Sequence, residues 1–194
     1  MGFSGHLVFA RGDAPLLEAP VFDSIDAELK STVHRWESRP GGWQTLQLEN
    51  GMWDDEDLPA LVAWSNAPAC VADVSDSDLA LVTGVDITGR RWQAWLNLDV
   101  AARVLAEEPE DLEDQMLWLD TPEFHDAVSR KRAELDAEVR ADAEGALAWA
   151  AAAGIPVASE VSGIERLLRS HVTFAEDLFS TLLDELGFPE ETQA

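Results

Sequence analysis

The chain is predicted to be an α+β protein: a mostly antiparallel sheet of about four to five strands from the N-terminal half, packed against helices from the C-terminal half. Two observations carry that expectation. Short apolar runs punctuated by Gly, Pro, Asn and Asp dominate residues 1–98, whereas helical spacing with capping signals dominates 99–188. Strands followed by helices, rather than alternating with them, mark an α+β chain. The 194 residues supply one hydrophobic core, and no linker divides them, so 1–194 reads as a single domain with a short tail at 189–194.

Each element has a local reason. His6-Leu7-Val8-Phe9-Ala10 is a first strand. Ile25, Leu29, Val33 and Trp36 recur at helical spacing, which predicts a helix over about 24–37 capped by Asp23 or Ser24. Trp43 to Leu48 alternates as a half-buried strand and closes on Asn50-Gly51, a turn pair. A helix is expected from Asp54-Asp55-Glu56-Asp57, with Pro59 in its first turn and Leu58, Leu61 and Val62 as its apolar face. Residues 69–74, 79–85 and 91–98 read as three strands, the last two joined at Thr88-Gly89. A short helix covers 99–106 and an acidic loop 107–115. Thr121-Pro122-Glu123 sets an N-cap with proline at the first helical position, opening a helix that runs through the alanine-rich stretch 142–153. Finally Ser162-x-x-Glu165 is a capping box, and an unbroken helix of about 25 residues is expected over 162–186, with Gly187 as C-cap and Pro189 as stop.

The formal charge of −25 is the most unusual global property. Spread evenly, net charges would stand about 19 Å apart, beyond the roughly 8 Å screening length at physiological salt, so only clusters could steer a partner. Two clusters stand out: Asp54-Asp55-Glu56-Asp57, and Glu107-Glu108-Pro109-Glu110-Asp111-Leu112-Glu113-Asp114. Nucleic acid is repelled by such a surface, which leaves a basic protein partner, a cation, or plain solubility. Lysine is confined to Lys30 and Lys131, and eight tryptophans accompany no tyrosine. Arginine and alanine are plentiful, and the usage resembles that of GC-rich coding, so composition alone says little about function. No apolar run reaches the roughly 18 residues that span a membrane, and the N-terminus lacks a secretory pattern. The single Cys70 closes no internal disulfide, and a cytoplasmic location is expected.

Candidate sites are few. Asp73, Asp76 and Asp78 put three carboxylates between two strands, oxygen donors of the kind Mg²⁺ or Ca²⁺ takes, though the spacing also suits an Asp/Ser turn and does not fit an EF-hand. The four histidines form no zinc pattern; His171 falls on the stripe of the last predicted helix as a core group, and His125 in a first helical turn as an exposed one. Cys70 reads as a small buried hydrophobe. Phosphate-cradling glycine loops and a nucleophile elbow are missing, and no cofactor is expected. Trp36, Trp92 and Trp149 hold core positions. Trp53 and Trp118 adjoin the two acidic clusters, and tryptophan is enriched at interface hot spots. The expectation is therefore a non-enzymatic interaction domain, inhibitor- or immunity-like, binding a basic protein through Trp53, Asp54, Asp55, Asp57 and Trp118. The alternative is a cation-dependent enzyme or metal-binding protein using Asp73, Asp76 and Asp78. A helix of roughly 37 Å over 162–186 would project past the core, which predicts a homodimer through Leu182, Leu183, Leu186 and Phe188.

Overall fold

The computed structural model describes residues 2–107, 118–119, 121–157 and 159–190. Six strands form one antiparallel sheet: β1 (Gly5–Arg11), β2 (His34–Arg35), β3 (Trp43–Glu49), β4 (Ala69–Ser75), β5 (Leu79–Val85) and β6 (Arg91–Leu96), in the spatial order β2-β3-β1-β4-β5-β6. Each predicted strand is present, and β2 is an addition. It lies inside the predicted helix 24–37, of which only α1 (Ala27–Thr32) forms, capped by Asp26 rather than Asp23 or Ser24. That helix buries nothing, so its periodicity gains no tertiary support. Beyond it the backbone joins β3 instead, with His34 opposite Gln47 and Trp36 N–H donating to the Thr45 carbonyl at 3.1 Å.

Strand alternation gives the sheet two apolar faces. Leu7 and Phe9 of β1 belong to the larger core with Val82, Trp92, Ala94 and Leu96, while Val8 and Ala10 belong to a second core with Leu46, Leu48 and Val71. The second core is covered by α2 (Asp57–Ser65) and two short 3-10 turns, Leu16–Glu18 and Pro20–Phe22. Helices therefore lie on both faces, with the C-terminal ones on the larger core.

Those are α3 (Leu98–Val104), α4 (Pro122–Ala152), α5 (Val161–Leu168) and α6 (Ala175–Glu185). The start of α4 is as its sequence predicts: Thr121 Oγ1 accepts from the Phe124 N–H and Pro122 follows the cap. Trp149, fully buried on α4, donates its indole N–H to the carbonyls of Ala69 and Val85 at 3.1 and 3.2 Å, tying the helix to β4 and β5. Close approach of α4 to β6 needs Gly145, where a Cβ would sit 2.8 Å from Trp92 Cβ.

The predicted helix 162–186 is broken in two. Its start is also displaced, with Glu160 at the N-cap and Ser162 already helical, so the capping box does not form. The break at 169–174 has a tertiary cause. Asn97, 1% exposed and left-handed (φ 59°), donates to the Val172 carbonyl and accepts from the Val172 N–H, both at 3.1 Å, while Ala175 N–H donates to the Ser77 carbonyl at 2.7 Å. Remote partners thus take backbone groups that a continuous helix would use. His171 is consequently exposed in the break rather than on a core stripe. Gly187, at φ +96°, does end the last helix, with Phe188 N–H reaching back to the Leu183 carbonyl at 2.9 Å.

Breaking the helix folds its apolar stripe inward. Leu182, Leu183, Leu186 and Phe188 are all buried within the one chain. The projecting helix on which the homodimer expectation rested does not exist, and that expectation loses its physical basis.

Candidate interaction surface

The acidic segment 54–57 stands where α2 begins. Asp57 Oδ2 accepts from the Asp54 N–H and Asp57 N–H donates to the Asp54 carbonyl, both at 2.9 Å, so one carboxylate of the four orders the turn. Asp54, Asp55 and Glu56 are exposed and Asp57 is half-buried. Trp53 lies beneath them at 6% exposure, its ring 6.0 Å from that of Phe22. Its expected role as a partner-facing anchor is corrected: the indole is part of the second core. That contact has a further effect. The packed rings bring the short turn at Pro20–Phe22 against the segment that precedes α2.

Trp118 is corrected in the same way. It is 6% exposed and packs edge-on to Phe124 at 4.9 Å, while its carbonyl accepts from the Thr121 N–H and hydroxyl. It fastens the start of α4. Of the second acidic cluster only Glu107 is described; residues 108–114 lie outside the described residues.

The Asp73, Asp76 and Asp78 loop is a structural junction. Asp76 and Ser77 adopt left-handed backbone at φ 50° and 61°. Asp76 Oδ1 accepts from the Gly2 N–H at 2.8 Å, and Ser77 Oγ accepts from the Phe3 N–H at 2.7 Å and meets Glu176 Oε1 at 2.6 Å. Asp73 lies back in β4, its Oδ1 3.8 Å from His6 Nε2, and the Asp78 carbonyl accepts from the Asn97 amide at 2.6 Å. The loop thus joins the N-terminal segment to α6. Among the described residues no group of three or more His, Cys, Asp or Glu side chains is placed to hold a metal ion, so the expected cation cluster is not assembled. Cys70 is buried, and burial pushes its thiol far up from the ordinary range. His125 is exposed, stacked obliquely near Phe124.

Charge is distributed unequally between surface and interior. Asp86 is the one buried carboxylate among the described residues, and the Thr88 N–H and hydroxyl and the Arg90 N–H hold its pKa below the usual carboxylate range against the effect of burial. Meanwhile Arg39, Lys131, Arg132, Arg140 and Arg169 are engaged in ion pairs. Five of the thirteen basic residues are therefore neutralised locally, while the acidic excess stays on the surface.

Two clefts open beside the segment that follows β1. One, of ≈ 490 Å³, lies between Arg11, Asp13 and Trp64; the other, of ≈ 330 Å³, between Asp13, Arg35 and Trp36. Their common wall, Asp13 and Ala14, is pinned by the Gln44 side chain, which accepts from the Leu16 N–H at 2.9 Å and donates to the Gly12 and Ala14 carbonyls at 3.2 and 2.9 Å. These residues were missed in sequence because nothing in the spacing of Asp13, Trp36 and Trp64 shows that they converge. A third cleft, of ≈ 320 Å³, separates Arg90 and Arg91 from Asp142 and Glu144; there burial and the neighbouring Glu138 push the Asp142 carboxyl up to about 6.

No family model, curated protein or solved structure matches the chain. No helix among the described residues is long and apolar enough to cross a membrane.

Proposed function

We propose that this protein is a non-enzymatic interaction domain whose partner is a basic protein. One observation carries the reading: acidic residues outnumber basic ones by 38 to 13, and five of the thirteen basic residues are engaged in ion pairs within the fold, so the surface keeps a large excess of carboxylates. A surface of that kind attracts a cationic partner at long range, raising the encounter rate at low salt, and rejects anionic ones. The acidic segment Asp54–Asp57 at the start of α2, with three of its four side chains exposed, supplies local density that an even spread of charge would lack. Because Trp53 supports this segment from below, its substitution would act on the shape of the surface rather than on a direct contact.

Affinity capture on the immobilised protein, from lysate of the source cell, tests the reading. Proteins retained at about 50 mM salt should be basic and should elute by about 500 mM, as expected when charge drives association. Retention of acidic proteins, or retention of basic ones unaffected by salt, would contradict it.

A further inference from the structure

We propose that the outer edge of β6 pairs antiparallel with the β6 of a second copy of this chain, about a two-fold axis at Gln93. β6 ends the sheet, with β5 on one side of it and no strand on the other. Asp86 N–H donates to the Arg90 carbonyl at 3.1 Å, and bonded pairs alternate along an antiparallel ladder. In the register of β5 and β6, the backbone of Trp92, Ala94 and Leu96 therefore turns toward β5. The N–H and carbonyl groups of Arg91, Gln93 and Trp95 point outward, and among the described residues none of the three has a backbone bond outside the sheet. Exposure follows the same alternation: Arg91 and Gln93 are exposed and Trp95 half-buried, whereas Ala94 and Leu96 are buried. The ≈ 320 Å³ cleft between Arg90–Gln93 and the 141–145 stretch of α4 leaves this part of the edge open.

A row of unpaired backbone groups is a template for another strand, and the side chains select which strand. Gln93 is the middle of the three outward residues, so it is the centre that lets all three pair at once. Arg91 then stands directly opposite Trp95 of the second copy, and Trp95 opposite Arg91 of the second copy. Directly opposed side chains have Cβ atoms about 4.5–5.5 Å apart, within the roughly 6 Å at which a guanidinium is attracted to an indole face. One strand thus carries both halves of the contact, as a two-fold interface requires. Arg91 is available for it, having no ion pair among the described residues.

Charge permits the pairing. Residues 87–97 hold Arg90 and Arg91 and no carboxylate, so this edge is clear of the acidic excess and separate from the surface offered to a basic partner. The two Arg91 side chains would stand roughly 14 Å apart along the strands, beyond the roughly 8 Å screening length.

Sedimentation velocity across the micromolar range tests the proposal. The chain should associate to twice its 21.2 kDa. Gln93→Pro removes the outward N–H and no ladder bond, so that variant should be monomeric with unchanged circular dichroism. Arg91→Ala, at an exposed position, should weaken the dimer by about fivefold or more. Three results overturn the proposal: a chain that stays monomeric, a dimer that survives Gln93→Pro, or tighter association in Arg91→Ala, the outcome expected if Arg91 guards the edge against pairing.

Discussion

Replacing Arg39 by alanine should destabilise the protein by about 3–4 kcal/mol. Its side chain is 2% exposed, yet it carries a full charge. Nη1 donates to Asp184 Oδ1 and to the Phe188 carbonyl; Nη2 donates to Ser180 Oγ at 2.8 Å and reaches Glu190 Oε1 at 3.4 Å. The carboxylates of Asp184 and Glu190 are about half exposed, so each pair is screened to about 0.5 kcal/mol. The buried bond to the Phe188 carbonyl and the partly buried one to Ser180 contribute about 1.5 kcal/mol each. What these bonds hold in place is Phe188, whose ring lies 4.7 Å from Trp43, 5.2 Å from Phe9 and 5.5 Å from Trp149. For a chain of this size the loss corresponds to a fall in melting temperature of about 8–14 °C. Calorimetry measures it directly, and a red shift in tryptophan emission should accompany exposure of Trp43. Arg39→Lys should recover about half, since one ammonium lacks the fork needed to serve both sets of acceptors. A fall below about 3 °C for Arg39→Ala would refute the reasoning.

Asp142→Asn should stabilise the protein at neutral pH. Its carboxyl is pushed up to about 6, from an ordinary 3.8, by burial and Glu138. Between those values the folded state holds the proton more tightly, so the native protein loses relative stability as pH rises; half-exposure limits the gain from Asn to about 1 kcal/mol above pH 6. Urea midpoints should diverge above pH 6 and coincide below pH 4. Asn97→Ala should cost about 2–4 kcal/mol in urea unfolding, because it removes three hydrogen bonds and leaves a non-glycine residue left-handed. Gly84→Ala should cost at least about 3 kcal/mol, since a Cβ there would overlap the Trp92 indole nitrogen; expression as a fully stable variant would contradict the packing described.

Local signals were legible wherever the deciding contacts were local. Thr121-Pro122 fixed the start of α4, Gly187 its counterpart at the end of α6, and alternation with turn residues marked β1 and β3 to β6. Remote partners decided the rest. The stripe from Ile164 to Leu186 has a helical period on both sides of its break, and only the three-dimensional positions of Asn97 and Ser77 interrupt it. Likewise Ile25, Leu29, Val33 and Trp36 satisfy a helical period, while pairing with β3 draws Trp36 into a different conformation. At the surface, sequence located the carboxylates of 54–57 but not the depth of Trp53 and Trp118, because adjacency to charge does not report burial. That Asp13, Trp36 and Trp64 line adjoining clefts carried no signal, because they come from the segment after β1, the segment after β2 and the end of α2.

The most direct test of the central claim is the association rate constant with the basic partner recovered by affinity capture, measured by stopped flow at increasing salt. Charge-driven encounter predicts a fall of about tenfold or more between 20 and 200 mM salt, with a shallower slope in Asp54→Asn/Asp55→Asn/Glu56→Gln. A rate constant independent of salt, and unchanged in that variant, would contradict it.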